Sequence, residues 1–203
     1  MNPALIREKF GGDYEATELT FRMGIDCRFT AHFAERFRGL QVLETCTGGG
    51  FTTLSIAREA AHVYTVEIDP GRQEQARRNL QQAGLLENVT LLPGDILDET
   101  TWRRLPAFDA AFLDPDWAVT GPAHVHHFLN STTRPPADRL LARVLQATPN
   151  AALILPPQLD LNELSGLPPH EREELHLAGS HELYCLYFGA LARTSGPSGF
   201  RAH

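Results

Sequence analysis

Residues 42–69, VLETCTGGGFTTLSIAREAAHVYTVEID, constrain this chain more than any other stretch. A short apolar run, Val42-Leu43, stops at Glu44. The turn Gly48-Gly49-Gly50 follows, then a helical pattern through Phe51, Leu54 and Ala57, then a second apolar run that stops at Glu67. Strand, glycine turn, helix, strand and acid is the order of a nucleoside-binding βαβ unit. Glycine bends the backbone sharply and admits a ligand where a Cβ would collide. A helix opening after the turn offers unpaired N–H groups that suit a carboxylate or phosphate. Glu67 lies 19 positions after Gly48 (67 − 48), close to the roughly 20 expected of an acid that accepts from ribose hydroxyls. The dinucleotide version needs a third small residue, and here Gly48-x-Gly50-x-x leads to Thr53, which argues against a dehydrogenase.

The flanking sequence extends this unit. Residues 1–25 carry little beyond a turn signal at Gly11-Gly12-Asp13. A helix is expected from Phe29, with Phe29, Phe33 and Phe37 as a core stripe and Thr30 as its N-cap. Pro70 can open the next helix, with Ala76, Leu80 and Ala83 buried and Gly84 at its end. Residues 88–92, 109–113 and 151–155 read as further strands, 138–147 as a helix, and 174–178 with 183–191 as a hairpin. The expectation is an α/β, Rossmann-like sheet of seven strands, mostly parallel, with a C-terminal antiparallel hairpin and helices on both faces. Residues 1–40 form an N-terminal helical segment, 41–193 the main domain and 194–203 a flexible tail. With 203 residues and 42% apolar content, one compact domain with a substantial core is expected. No apolar run approaches the length of a membrane span, and the N-terminus lacks a signal-peptide core. Three cysteines without paired spacing indicate neither disulfides nor zinc, so a reducing, cytoplasmic setting is expected. The net charge of −7 argues against tight non-specific nucleic-acid binding.

The third strand runs into Pro93-Gly94-Asp95-Ile96, so Glu44, Glu67 and Asp95 end three successive strands and converge on one rim of a parallel sheet. The fourth strand runs into Asp114-Pro115-Asp116-Trp117. This fits a clamp for a planar ring with an exocyclic amine. The Asp114 carboxylate and the Pro115 carbonyl would each accept an N–H and free the delocalised nitrogen lone pair. Trp117 would stack on the ring, worth roughly 1–3 kcal/mol. His124, His126 and His127 have no acid or cysteine at ligand spacing, so no metal is expected. Arg72, Arg77, Arg78, Arg103 and Arg104 read as solvated.

VLETCTGGG, VYTVEID, LLPGDIL and AFLDPDW resemble class I S-adenosylmethionine-dependent methyltransferases. They are most similar to the trimethylguanosine synthase group, the RNA cap guanine-N2 methyltransferases and their bacterial relatives. ILPPQLDLNEL at 154–164 and LYFGAL at 186–191 resemble that group's later segments. The resemblance implies S-adenosyl-L-methionine as cofactor, S-adenosylhomocysteine as product, and an RNA or guanine nucleotide as acceptor. Glu44, Thr45, Gly48 and Gly50 would flank the methionine part, and Thr52 and Thr53 would reach its carboxylate. Glu67 would hold the ribose, Ile68 would cover the adenine, and Asp95 would accept from the adenine amine beside Ile96. Thr30 would lie where the N-terminal segment closes over the cofactor. Asp114, Pro115, Asp116 and Trp117 would hold the target base, with Asp114 also at the cofactor.

Four features depart from the group's pattern. Asp116 stands where proline is usual, Ala118-Val119 replace glycines, Cys46 replaces Phe or Gly, and aromatic residues before Thr30 are mostly absent. Asp116 is expected to loosen the turn and to add a charge that favours a cationic ring. Two alternatives stay open: a small-molecule N- or O-methyltransferase, and a non-catalytic cofactor-binding module. Neither a metal nor a membrane partner is expected.

Overall fold

A computed structural model describes residues 1–117 and 125–203. The chain divides into two compact units, Met1–Asp109 and Ala110–His203. Among the described residues, no helix is long and apolar enough to cross a membrane.

The first unit opens with three helices, the first two in residues 1–25, where the sequence offered mainly a turn signal. Asn2 caps α1 (Pro3–Phe10) by accepting the Ala4 N–H at 3.0 Å, and Gly11 ends it. Thr17 and Thr20 close a reciprocal capping box on α2 (Glu18–Met23). α3 (Cys27–Ala34) starts at Asp26, whose carboxylate accepts the Arg28 N–H at 3.0 Å. Thr30 is therefore inside α3 and not its cap. The apolar stripe begins at Phe29, but the acid that satisfies the free N–H groups stands three residues earlier. Phe29, Phe33 and Phe37 are buried as expected.

β1 (Gln41–Thr45), α4 (Phe51–Glu59), β2 (His62–Glu67), α5 (Pro70–Gln82), β3 (Val89–Pro93) and α6 (Glu99–Trp102) follow. The strands lie in the order β3-β2-β1, all parallel, with Glu44 opposite Thr65 and Glu67 opposite Pro93. Val42, Leu43 and Val63 are fully buried and hold this layer. Parallel register brings the three C-terminal strand ends to one edge of the unit.

The second unit contains β4 (Ala110–Leu113), α7 (Ala137–Leu145), β5 (Ala151–Leu155), β6 (His170–Leu177), β7 (Ser180–Phe188) and β8 (Gly196–Ala202). Its order is β4-β5-β7-β6-β8. β4 and β5 are parallel and wholly buried, hence their continuous apolar runs. β7 is antiparallel to both β5 and β6, which gives the expected hairpin. The described residues thus form eight strands, not seven. The segment expected to be a flexible tail is β8, paired in parallel with β6 from Glu171↔Gly196 to Leu177↔Ala202. Glycine, proline and serine hid it, because they are poor strand formers. Side chains reinforce the pairing: buried Glu171 accepts the Ser198 hydroxyl at 2.8 Å and the Arg193 N–H at 2.7 Å.

Candidate functional site

The residues expected at the cofactor, apart from Asp114, lie in the first unit around the ends of its strands. Glu67 closes β2 and is buried. Its Oε2 accepts the Gly48 N–H at 2.9 Å and its Oε1 accepts the Asp69 N–H at 2.9 Å. A carboxylate offers about four acceptor positions, so these two bonds leave each oxygen one further position. The next residue, Ile68, is 67% exposed, an apolar surface beside a buried acid. Gly48 has φ 55°, and a Cβ there would meet nothing closer than the Cys46 carbonyl oxygen at 3.9 Å. The main chain is open to a ligand at that point. Gly50, at φ 80°, has a different task. Its Cβ would stand 3.0 Å from the Ala76 Cβ, so this glycine lets α4 and α5 approach. These features fit a nucleoside-bearing cofactor: an open glycine, a buried acid with spare acceptor positions, and an exposed apolar neighbour.

Glu44, on β1, is also buried, and its Oε2 accepts the Thr53 hydroxyl at 2.6 Å. Burial pushes its carboxyl up to about 7, against the pull of hydrogen bonds from Thr53 and Thr65, and the charge of Glu67 adds to the rise. Folding therefore favours the protonated form. The associated stability is fully present below the ordinary value of 4.5 and is lost as the pH rises through about 7. At about 1.4 kcal/mol per unit, the loss is on the order of 3 kcal/mol. Glu44→Gln, with an uncharged amide of the same shape, should unfold at higher denaturant than the parent at pH 8 and at nearly the same denaturant near pH 4.5. Denaturant melts at the two pH values check this, and an offset independent of pH would contradict it.

The other expected residues divide. Thr53 is fully buried and its hydroxyl is committed to Glu44, so it positions that acid and does not reach out to a carboxylate. Thr52 stands at the start of α4, where no side chain caps the helix. Thr45 is fully buried, and its hydroxyl has no partner among the described residues. Asp95 is exposed, with Oδ1 accepting the Leu97 N–H at 2.8 Å, whereas Ile96 is buried in the core. Gly94 donates to the Glu67 carbonyl at 3.0 Å, which ties the Asp95 turn to the end of β2. Thr30 bonds Ser55 at 2.7 Å and joins α3 to α4. Cys46 takes a left-handed φ of 63°, which costs a residue with a side chain about 1 kcal/mol or more. Reading the sequence missed Asn79, Gln75 and Thr65, polar residues whose partners come from distant segments.

In the second unit, Asp114-Pro115-Asp116-Trp117 leaves β4 directly. Pro115 is buried and the other three are half-buried. The Asp116 N–H donates to the Arg134 carbonyl at 2.9 Å, and the Arg134 N–H donates back at 2.9 Å. The turn is thus braced by a two-bond bridge. The Trp117 indole N–H is buried without a partner among the described residues. Ala118, Val119 and His124 lie outside the described residues. His126 pairs with the chain around Leu159. His127 meets acids that its sequence neighbours did not announce: its ligand atom lies within 4.8 Å of those of Asp160 and Glu163. Glu163 already accepts from Leu129 at 2.9 Å and faces His127 Nδ1 at 2.7 Å. Asp160 accepts from Asn162 at 3.0 Å.

Comparison with known proteins agrees with this geometry. A putative methyltransferase from Porphyromonas gingivalis superposes with a TM-score of 0.74 at 18% identity, over 94% of this chain and 48% of that one. A putative O-methyltransferase from Klebsiella pneumoniae gives 0.59 at 23% identity, over 93% and 90%. Such identities speak to the fold alone. A catechol O-methyltransferase from Mycobacterium tuberculosis is 37% identical over 92 residues, 44% of this chain and 42% of the relative. Trimethylguanosine synthase from Saccharomyces cerevisiae is 26% identical over 137 residues, 62% of this chain and 41% of the relative. The chain spans about half the length, or less, of these curated relatives. The fold, together with the family profile, is that of the class I S-adenosylmethionine-dependent methyltransferases. Within that class, the chain belongs to the RNA cap guanine-N2 methyltransferase family, whose profile matches residues 40–189.

Proposed function

We propose that the chain transfers a methyl group from S-adenosylmethionine to an exocyclic amine of a guanine-type base in RNA. The observation that carries this reading is the Asp114-Pro115-x-Trp117 turn at the end of β4, braced through Asp116 and Arg134. The family profile and the yeast relative support the choice of base. When bound, S-adenosylmethionine supplies an electrophilic methyl on a sulfonium. The chain's own residues do the rest. Glu67 and Asp95 accept hydrogens from the nucleoside, and Ile68 covers its base. The Asp114 carboxylate and the Pro115 carbonyl accept the two amine N–H groups and draw the nitrogen towards tetrahedral geometry. Asp114 takes the proton that nitrogen releases. Trp117 stacks on the acceptor ring. Catalysis by alignment of this kind is worth several kcal/mol and calls on no metal.

The catechol O-methyltransferase relatives favour a second reading, a small-molecule acceptor. A transfer assay with a methyl-labelled cofactor separates the two. Its acceptors are capped RNA, uncapped RNA, DNA, free nucleosides and catechol. Label on guanine N2 of RNA is expected. Label confined to catechol or free nucleosides would select the second reading. Tight S-adenosylhomocysteine binding with no transfer to any acceptor would leave a binding module.

A further inference from the structure

We infer that Asn79 is a positioning residue for the cofactor turn: one buried amide fixes the Gly49 carbonyl and also fastens the N-terminal segment at Glu15. The inference rests on the reading that the glycine turn receives the cofactor.

Asn79 stands on the buried face of α5, between Ala76 and Leu80, and is fully enclosed. Asparagine is a poor residue for such a place. It costs about 0.5 kcal/mol or more against alanine inside a helix, and a buried amide must be fully bonded to be tolerated. Here it is. Nδ2 donates to the Gly49 carbonyl at 2.9 Å and to the Glu15 carbonyl at 3.0 Å, while Oδ1 accepts the Glu15 N–H at 2.8 Å. The side chain thus holds both backbone groups of Glu15, as a neighbouring strand would.

On the other side it grips the turn. The peptide joining Gly49 to Gly50 is held at both ends, with its carbonyl on Asn79 and its N–H on the Thr47 carbonyl at 2.9 Å. Two peptides earlier in the turn, the Gly48 N–H is on Glu67. Asn79 therefore sets the plane of the Gly49–Gly50 peptide, one residue beyond the open Gly48. Gln75, one turn earlier, also reaches the N-terminal segment, donating to the Glu15 carbonyl at 2.6 Å and to the Thr20 hydroxyl at 3.0 Å. It also accepts from the Thr20 hydroxyl at 3.3 Å, and among the described residues it makes no hydrogen bond to the turn. A cleft of about 620 Å³ runs between this segment and the start of α5, bordered by Tyr14, Glu15, Asp69 and Arg72. Seating the cofactor and ordering residues 15–20 are thereby coupled through one side chain.

The test is calorimetry with S-adenosylhomocysteine at 25 °C on the full chain, on Asn79→Ala and on Gln75→Ala, with amide exchange followed in parallel. Both variants should speed exchange across residues 15–20. Asn79→Ala should weaken binding at least tenfold, whereas Gln75→Ala should change it by less than threefold. In the parent chain, saturating S-adenosylhomocysteine should slow exchange of the Glu15 N–H, a reading that decides the matter even if Asn79→Ala fails to fold. Equal binding by the parent and Asn79→Ala, or a Glu15 N–H indifferent to the ligand, would overturn this inference alone. A parent chain with no affinity for S-adenosylhomocysteine would overturn it together with the proposed function.

Discussion

Replacing Glu67 with alanine is expected to weaken S-adenosylhomocysteine binding more than a hundredfold. The carboxylate is buried and already accepts the N–H groups of Gly48 and Asp69. Removing it leaves both donors without their charged partner in the very turn that should carry the ligand, and it deletes the proposed acceptor for the ribose. A hydrogen bond to a charged group is worth about 1.5–3 kcal/mol, so losing two acceptor contacts costs about 3 kcal/mol or more. At about 1.4 kcal/mol per tenfold, that exceeds two decades in affinity. Glu67→Gln should fall between, because its amide turns one of two acceptor oxygens into a donor facing an N–H. Calorimetry reads both variants. An affinity for Glu67→Ala within threefold of the parent would remove Glu67 from the site.

Asp114→Ala should act on turnover. A positioned carboxylate that takes the amine proton contributes about 10²–10⁴ in rate, and the substitution should lower single-turnover methyl transfer by about a thousandfold. S-adenosylhomocysteine affinity should change by less than tenfold. Asp114→Asn keeps an acceptor oxygen without the charge and should retain part of the rate. Equal losses in rate and in ligand affinity would make Asp114 a cofactor residue only, and an unchanged rate would remove the clamp.

The framework of the candidate site was legible where it is local. The strand-turn-helix grammar around residues 42–69 located Glu44, Gly48 and Glu67, because spacing along parallel strands fixes where their ends fall. Ile68 came only with the family resemblance. What the sequence hid depends on partners far along the chain. Thr53 reads as an exposed helix-start hydroxyl until Glu44 is found 2.6 Å away. Asn79 reads as an ordinary helix residue until Glu15 and Gly49 close on it. Asp160 and Glu163 reach His127 only through the fold of the second unit. β8 was missed because cross-strand pairing with β6 outweighs a weak local preference.

The Asp116–Arg134 bridge limits how the turn after β4 can be exchanged among relatives. A proline grafted at position 116 has no hydrogen to offer the Arg134 carbonyl, so the swap would remove half of the brace that replaces it. Position 134 and the loop it belongs to would have to travel with the graft, which makes the two segments a single transplantable module.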